Sequence, residues 1–169
     1  MESRLNWYAV YTRSRYEKKS AQLISELGIE VYMPMRRILR KWSDRQKWVM
    51  EPIIRSYVFV KVDQSQYEKV LGVDGVVRYI WFGGKPAEIP ERQINIMKAV
   101  LGNDIPVQAV PTLLKVGAPV RVMAGPLAGM EGELIRFNGR KKVAVKIHAI
   151  EQTLLITISP LLLEPIYVH

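Results

Sequence analysis

The chain has 169 residues, 49% of them hydrophobic, and carries 25 Lys and Arg against 16 Asp and Glu, a formal charge of +9 with a pI near 9.8. That length suits one medium domain or two small ones, and the composition is that of a folded rather than a disordered chain. It contains no cysteine and no apolar run near the roughly 18 residues of a membrane span, which excludes disulfides, thiolate metal sites and a transmembrane helix. The opening "MESRLNWYAVYT" has no signal-peptide apolar core, so the expected setting is cytoplasmic with no membrane contact. The basic excess points toward a polyanion, because Lys and Arg displace counterions from phosphates. It is uneven: residues 1–101 hold 18 basic and 11 acidic side chains, and 102–169 hold 7 and 5, so the first part is the better candidate for nucleic-acid contact.

In chain order, "WYAVYT" (7–12) reads as a strand, rich in aromatic and β-branched residues. Residues 14–27 place Tyr16, Leu23, Ile24 and Leu27 on one helical face, and Gly28 is the stop. Two extended runs follow, "EVYMPMRRILRKW" and "RQKWVMEPIIRSYVFVKV", joined by a Ser43-Asp44 turn. Asp63 with Gln66 resembles a capping box ahead of a short helix through Tyr67, Val70 and Leu71. "VVRYIWF" (76–82) is a further strand, and Ile94, Met97 and Leu101 space a last helix that Gly102 ends. The order β-α-β-β-α-β-α predicts an α+β domain over 1–102, a ferredoxin-like antiparallel sheet with helices on one face.

"GNDIPVQAVPT" (102–112) holds Pro106, Pro111 and polar breakers with no sustained period, and is read as a linker over 103–112. Beyond it, over 113–169, "APVRVM", "EGELIRF", "KKVAVKI" and "TLLITI" are short runs between Gly, Asn and charged turns, the pattern of a small all-β barrel. The stretch "VRVMAGPLAGMEGELI" is glycine-rich, but a phosphate loop needs a lysine and Ser/Thr after its last glycine and a helix starting there. Here Glu131 and Glu133 flank Gly132 and a strand follows, so the reading is a turn.

Catalysis finds no support. There are two histidines, one of them the terminal His169, with no metal-ligand cluster, nucleophile elbow or paired carboxylates beside a base. No catalytic residue, metal or cofactor is assigned.

"VRVMAGPLAGMEGELIRF" resembles the KOW motif, and "WYAVYTRSRYEKKSAQLI" with "EPIIRSYVFVKV" resembles the N-terminal domain of the NusG family. Both occur in the family's order. "RSYVFV" and Glu51-Pro52 look closer to its specialised RfaH-like or UpxY-like paralogues. The resemblance implies an SH3-like KOW barrel after the α+β domain. It also implies a transcription elongation and antitermination factor whose first domain binds the clamp helices of RNA polymerase and suppresses pausing. By motif, the polymerase face would comprise Tyr11, Ile54, Tyr57, Phe59 and Phe82, although Ile54 stands where the family has an aromatic. A glutamate at the position of Glu51 tethers the two domains in the fold-switching paralogue. Arg13, Arg15, Lys18 and Lys19 correspond to the region that approaches non-template DNA, with Tyr16 nearby to stack a base. Independently, Arg36, Arg37, Arg40 and Lys41 form a basic run interleaved with Trp42 and Trp48, which favours contact with DNA or nascent RNA. In the barrel, Ile147, His148 and Ile150 fall where the family recruits Rho or a small-subunit ribosomal protein; His148 replaces the family's phenylalanine. The alternative function is a ribosome-associated or RNA-binding KOW protein using the barrel and its basic loop Arg140-Lys141-Lys142.

Overall fold

The computed structural model describes residues 3–112 and 117–167; His169 lies outside the described residues. Contacts divide the chain into two units, residues 1–91 and 92–169.

In the first unit the order is β1 (Asn6–Thr12), α1 (Glu17–Glu26), β2 (Glu30–Tyr32), β3 (Met35–Lys41), β4 (Gln46–Pro52), β5 (Tyr57–Val62), α2 (Tyr67–Leu71), β6 (Val76–Tyr79), β7 (Trp81–Phe82), β8 (Lys85–Pro86) and β9 (Glu88–Ile89). The main sheet is antiparallel in the order β2-β5-β1-β6, with β9 also on β1, while β3–β4 and β7–β8 are separate two-stranded hairpins. The two long extended runs of the sequence each break into two strands. Pro34 stands in the first gap, and in the second Ser56 takes a left-handed φ of 65°.

Alternation along β1 and β5 sends Val10, Val58, Val60 and Val62 to one side of the sheet, where they pack with Ala21 and Ile24 of α1, Val70 of α2 and Tyr79 of β6. Both helices therefore cover one face, as the element order predicts. Tyr79 stacks on Tyr67 at 3.9 Å between ring centroids, and its hydroxyl donates to the Tyr67 carbonyl at 3.1 Å.

The buried stripe of α1 differs from the expected one. It is Glu17, Ser20, Ala21 and Ile24, whereas Leu27 is exposed. The polar members are inside because they hold loops: the Ser56 N–H donates to the Glu17 carboxylate at 2.9 Å, and Ser20 Oγ donates to the Asp74 carbonyl at 2.8 Å. Periodicity of apolar residues has no means of registering such groups. Asp63 and Gln66 do form a reciprocal box, with Asp63 Oδ1 accepting from the Gln66 N–H at 3.1 Å and Gln66 Oε1 accepting from the Asp63 N–H at 3.3 Å.

The second unit takes in α3 (Glu91–Gly102) from its second residue, then β10 (Val107–Pro111), β11 (Ala118–Val122), β12 (Glu131–Phe137), β13 (Arg140–Ile147), β14 (Gln152–Ile156) and β15 (Leu163–Pro165). Its antiparallel sheet has the order β10-β14-β13-β12-β11-β15, with Ile135, Ala144 and Leu155 at one centre of packing. The four strands expected from sequence are present.

The segment read as a linker is not one throughout. Val107–Pro111 is an edge strand paired with β14, from Val107 opposite Ile156 to Pro111 opposite Gln152. Proline is tolerated on an edge and at strand ends, so Pro106 and Pro111 concealed a strand rather than excluding it. The unit boundary also falls ahead of most of α3 instead of after residue 102, and Gln93 Nε2 donates to the Lys146 carbonyl at 3.0 Å inside the second unit.

The glycine-rich stretch turns a corner. Gly125 and Gly129 sit at φ of 84° and 88°, and the Gly129 N–H closes the loop on the Val122 carbonyl at 2.8 Å. Gly132 serves close packing: a Cβ there would meet Val143 Cγ1 at 2.7 Å and the Ala144 carbonyl oxygen at 2.9 Å.

Candidate functional site

The sheet face turned away from α1 and α2 is built in rows across the strands. One row is Tyr57, Tyr11 and Arg78, paired in register on β5, β1 and β6. The two tyrosines meet edge to face at 5.7 Å, and the Arg78 guanidinium lies 5.6 Å from the Tyr11 ring. Both tyrosines are half-buried and Arg78 is exposed, so this row is accessible.

The next row is Tyr32, Phe59 and Ala9, in which Phe59 and Ala9 are sealed and Tyr32 is half-buried. Phe59 is 0% exposed, and burial pushes the Tyr32 phenol up to about 12. Ile54 is also buried. The expectation that Ile54 and Phe59 form a contact surface therefore needs correction: in this conformation both are core. Phe82 is the reverse case, 78% exposed beside an exposed Trp81 on the β7–β8 hairpin. Of the five expected face residues, the structure brings Tyr11 and Tyr57 into contact, leaves Phe82 presented to solvent and buries the other two.

The basic groups fall into two clusters. At α1, Arg13 and Lys19 converge on Asp74 at 2.6 and 2.9 Å. The Lys19 hydrogen bond holds the Asp74 carboxyl below its ordinary value, and Asp74 in turn raises Lys19. Arg13 covers the Tyr16 ring at 4.2 Å, so the base-stacking role expected for Tyr16 is already occupied on that side. Lys18 Nζ donates to the Met50 carbonyl at 3.1 Å, and Arg15 is exposed with a φ of 67°.

In the β3–β4 hairpin the register separates the basic run onto two faces. Arg36 pairs with Glu51, Ile38 with Val49 and Arg40 with Lys47 on one side; Arg37 with Met50, Leu39 with Trp48 and Lys41 with Gln46 on the other. Glu51 bridges Arg36 at 2.9 Å and Arg40 at 3.0 Å above half-buried Ile38 and Val49. Burial opposes its ionised form, but the Arg36 hydrogen bond and the charges of both arginines outweigh that and lower its pKa. Glu51 is thus engaged within its own hairpin. On the opposite face Arg37 lies 4.5 Å from the exposed Trp48 ring, and at the turn Arg45 lies 5.2 Å from Trp42.

A model of the family described as transcription termination factor NusG matches residues 5–98, more than half of the chain. The chain belongs to the NusG family. A termination/antitermination protein NusG from Staphylococcus aureus strain Mu50 is 26% identical over 142 residues, 76% of this chain and 77% of its own length, and the protein of that name from strain N315 matches equally. A solved structure described as domain interaction in Thermotoga maritima NusG is 23% identical, covers 97% of this chain and 98% of its own, and superposes with a TM-score of 0.58, a likeness of fold.

For a NusG-family chain the expected partner surface of the second unit also needs correction. Ile147 and Ile150 are buried in its core, while His148 is exposed at the start of a 3-10 turn over His148–Ile150. His148 borders a groove of about 740 Å³ with Gln93, Ile96, Met130, Glu133 and Lys146. Among the described residues, the large apolar groups that the second unit exposes are Met123, Leu161 and Tyr167, which sequence periodicity passed over because they lie at strand ends and in a short turn. Sequence reasoning missed Arg78 as well. Its signal was the register, because only the pairing of β1 with β6 places it beside Tyr11. Among the described residues no helix is long and apolar enough to cross a membrane.

Proposed function

We propose that this chain is a transcription elongation and antitermination factor that holds RNA polymerase by its clamp helices through the β5–β1–β6 face and recruits a further partner through the KOW unit. The observation that carries the reading is the accessible Tyr57–Tyr11–Arg78 row on the face free of α1 and α2, together with exposed Phe82. Rigid aromatics anchor a docked helix at small entropic cost, and an arginine beside them adds orientation. Catalysis is not required. A protein that binds only the closed, processive polymerase shifts the population away from paused states in proportion to its differential affinity. The α1 cluster supplies positive charge beside that face, where Arg13 and Lys19 retain about half of their side-chain exposure despite sharing Asp74.

The test is retention on a stalled elongation complex at moderate and high salt, followed by pause lifetimes. Salt-resistant retention with shortened pauses is the expected result. Absence of retention, with free RNA bound instead, would move the chain to the RNA-binding class and direct attention to exposed Arg140 and Lys141 at the β12–β13 turn. Lys142, two residues along β13, already donates to Thr157 Oγ1 at 2.5 Å.

A further inference from the structure

We propose that the outer face of the β3–β4 hairpin, formed by Leu39, Trp48 and Met50 between Arg37 and Lys41, is a stacking platform for single-stranded DNA. This goes beyond the reading above by naming a nucleic-acid face, the ligand form and the residues.

The hairpin carries six basic residues (Arg36, Arg37, Arg40, Lys41, Arg45, Lys47) and two acidic ones (Asp44, Glu51), a net charge of +4 over residues 35–52. Its two faces do different things. Arg36 and Arg40 are held by Glu51, whereas Arg37 and Lys41 make no ion pair among the described residues. The unpaired cations stand on the same side as Trp48, which is 55% exposed, and as exposed Leu39 and Met50. An exposed apolar patch on a two-stranded hairpin is a liability in water unless a partner covers it. A partner that is both apolar on its flat surfaces and anionic along its edge satisfies every group on this face at once: unpaired bases stack, and phosphates meet the cations.

The Arg37 guanidinium parallels this chemistry already, lying 4.5 Å from the Trp48 ring and leaving the ring's other side for a base. Duplex DNA offers no exposed base faces, so the platform selects unpaired strands. Gln46, opposite Lys41, is the one side chain of this face with an oxygen that accepts from a 2′-hydroxyl; the stacking row itself, Leu39, Trp48 and Met50 with Arg37, offers none, which gives a ribose no added hold where the bases stack. Glu51 fixes the opposite side and keeps Arg36 and Arg40 from competing for the strand.

The experiment is fluorescence anisotropy with a labelled mixed-sequence single-stranded DNA of about 20 nucleotides, its duplex and the RNA of the same sequence, at low salt and over a salt series. Trp48→Ala is expected to weaken single-strand binding by about tenfold or more. Arg37→Ala is expected to weaken it by a similar factor and to reduce the salt slope by about 0.7. Lys47→Ala removes the same charge from the other face and is expected to change affinity by less than about twofold. Circular dichroism melting of each variant checks that these exposed substitutions leave the fold unchanged. Equal losses for Lys47→Ala and Arg37→Ala would reduce the effect to bulk charge and overturn the proposal. Unchanged affinity in Trp48→Ala, or tighter binding to RNA or duplex, would overturn it as well. Loss of polymerase retention in Trp48→Ala with DNA affinity intact would assign the face to a protein and also overturn it. Because the free oligonucleotide is measured without polymerase, failure here leaves the clamp reading standing, and failure of retention leaves this one standing.

Discussion

Phe59→Ala separates a core role from a contact role on the main sheet of the first unit. The ring is fully buried, between Tyr32 and Ala9 in register. An aromatic side chain buries at least about 150 Å², and at about 25 cal/mol per Å² its removal forfeits about 4 kcal/mol. Measured Phe→Ala losses of about 3–5 kcal/mol agree. Against a domain stability of about 5–15 kcal/mol that is a large fraction. Urea denaturation followed by the fluorescence of buried Trp7 in β1 reads it directly, and the midpoint is expected to fall by more than about 1 M. Phe59→Asp, which places a charge in the same site, is expected to leave no folded first unit to assay. Tyr57→Ala, two residues along on the same face but half-buried, is expected to cost less than about 2 kcal/mol. An unchanged midpoint for Phe59→Ala accompanied by lost polymerase retention would refute the reasoning, because the ring would then be a contact residue and not part of the core.

Tyr11→Ala and Tyr57→Ala are each expected to lower polymerase retention by about tenfold or more with the fold preserved; a double-mutant cycle on stability should return a coupling of about 0.5–1.5 kcal/mol for their edge-to-face contact. Gly132→Val drives a Cβ into Val143 and the Ala144 carbonyl, so the second unit is expected to lose about 1–3 kcal/mol or more by thermal denaturation, with the first unit's melting unaffected. The lowered pKa of Glu51 means that its ion pairs contribute at neutral pH and fade as pH falls through the folded value, below the ordinary glutamate range. Glu51→Gln should therefore flatten the acid limb of a stability–pH curve while costing less than about 1 kcal/mol at pH 7.

The order of elements was legible because each carries its own local signal: β-branched runs for β1 and β5, glycine at the end of α1, and the Asp63–Gln66 box before α2. The rows of the sheet were not, because they depend on register. Tyr57 and Phe59 have the same parity and nearly the same chemistry, yet one is partly open and the other sealed. No local rule distinguishes them. Arg36, Arg37 and Arg40 read as one basic run, and only the pairing with β4 shows Glu51 withdrawing two of them. β10 escaped notice because Pro106 stands just before it and Pro111 at its end on an edge, where the ladder does not need their missing N–H.

β1 contributes to both sides of the main sheet at once: Tyr8 and Val10 pack with the helices, and Tyr11 belongs to the open row. It also pairs with three other strands. A single-residue insertion or deletion within β1 would exchange the two sets, turning valine outward and tyrosine into the helix-covered core. Stability and partner binding would be lost in one step, with no intermediate for selection to repair. The β3–β4 hairpin is under no such double constraint, since it forms its own two-stranded sheet and its tip is exposed. Changes of length among homologous chains are accordingly expected to accumulate at that tip, leaving β1 of constant length while the hairpin varies in reach and charge.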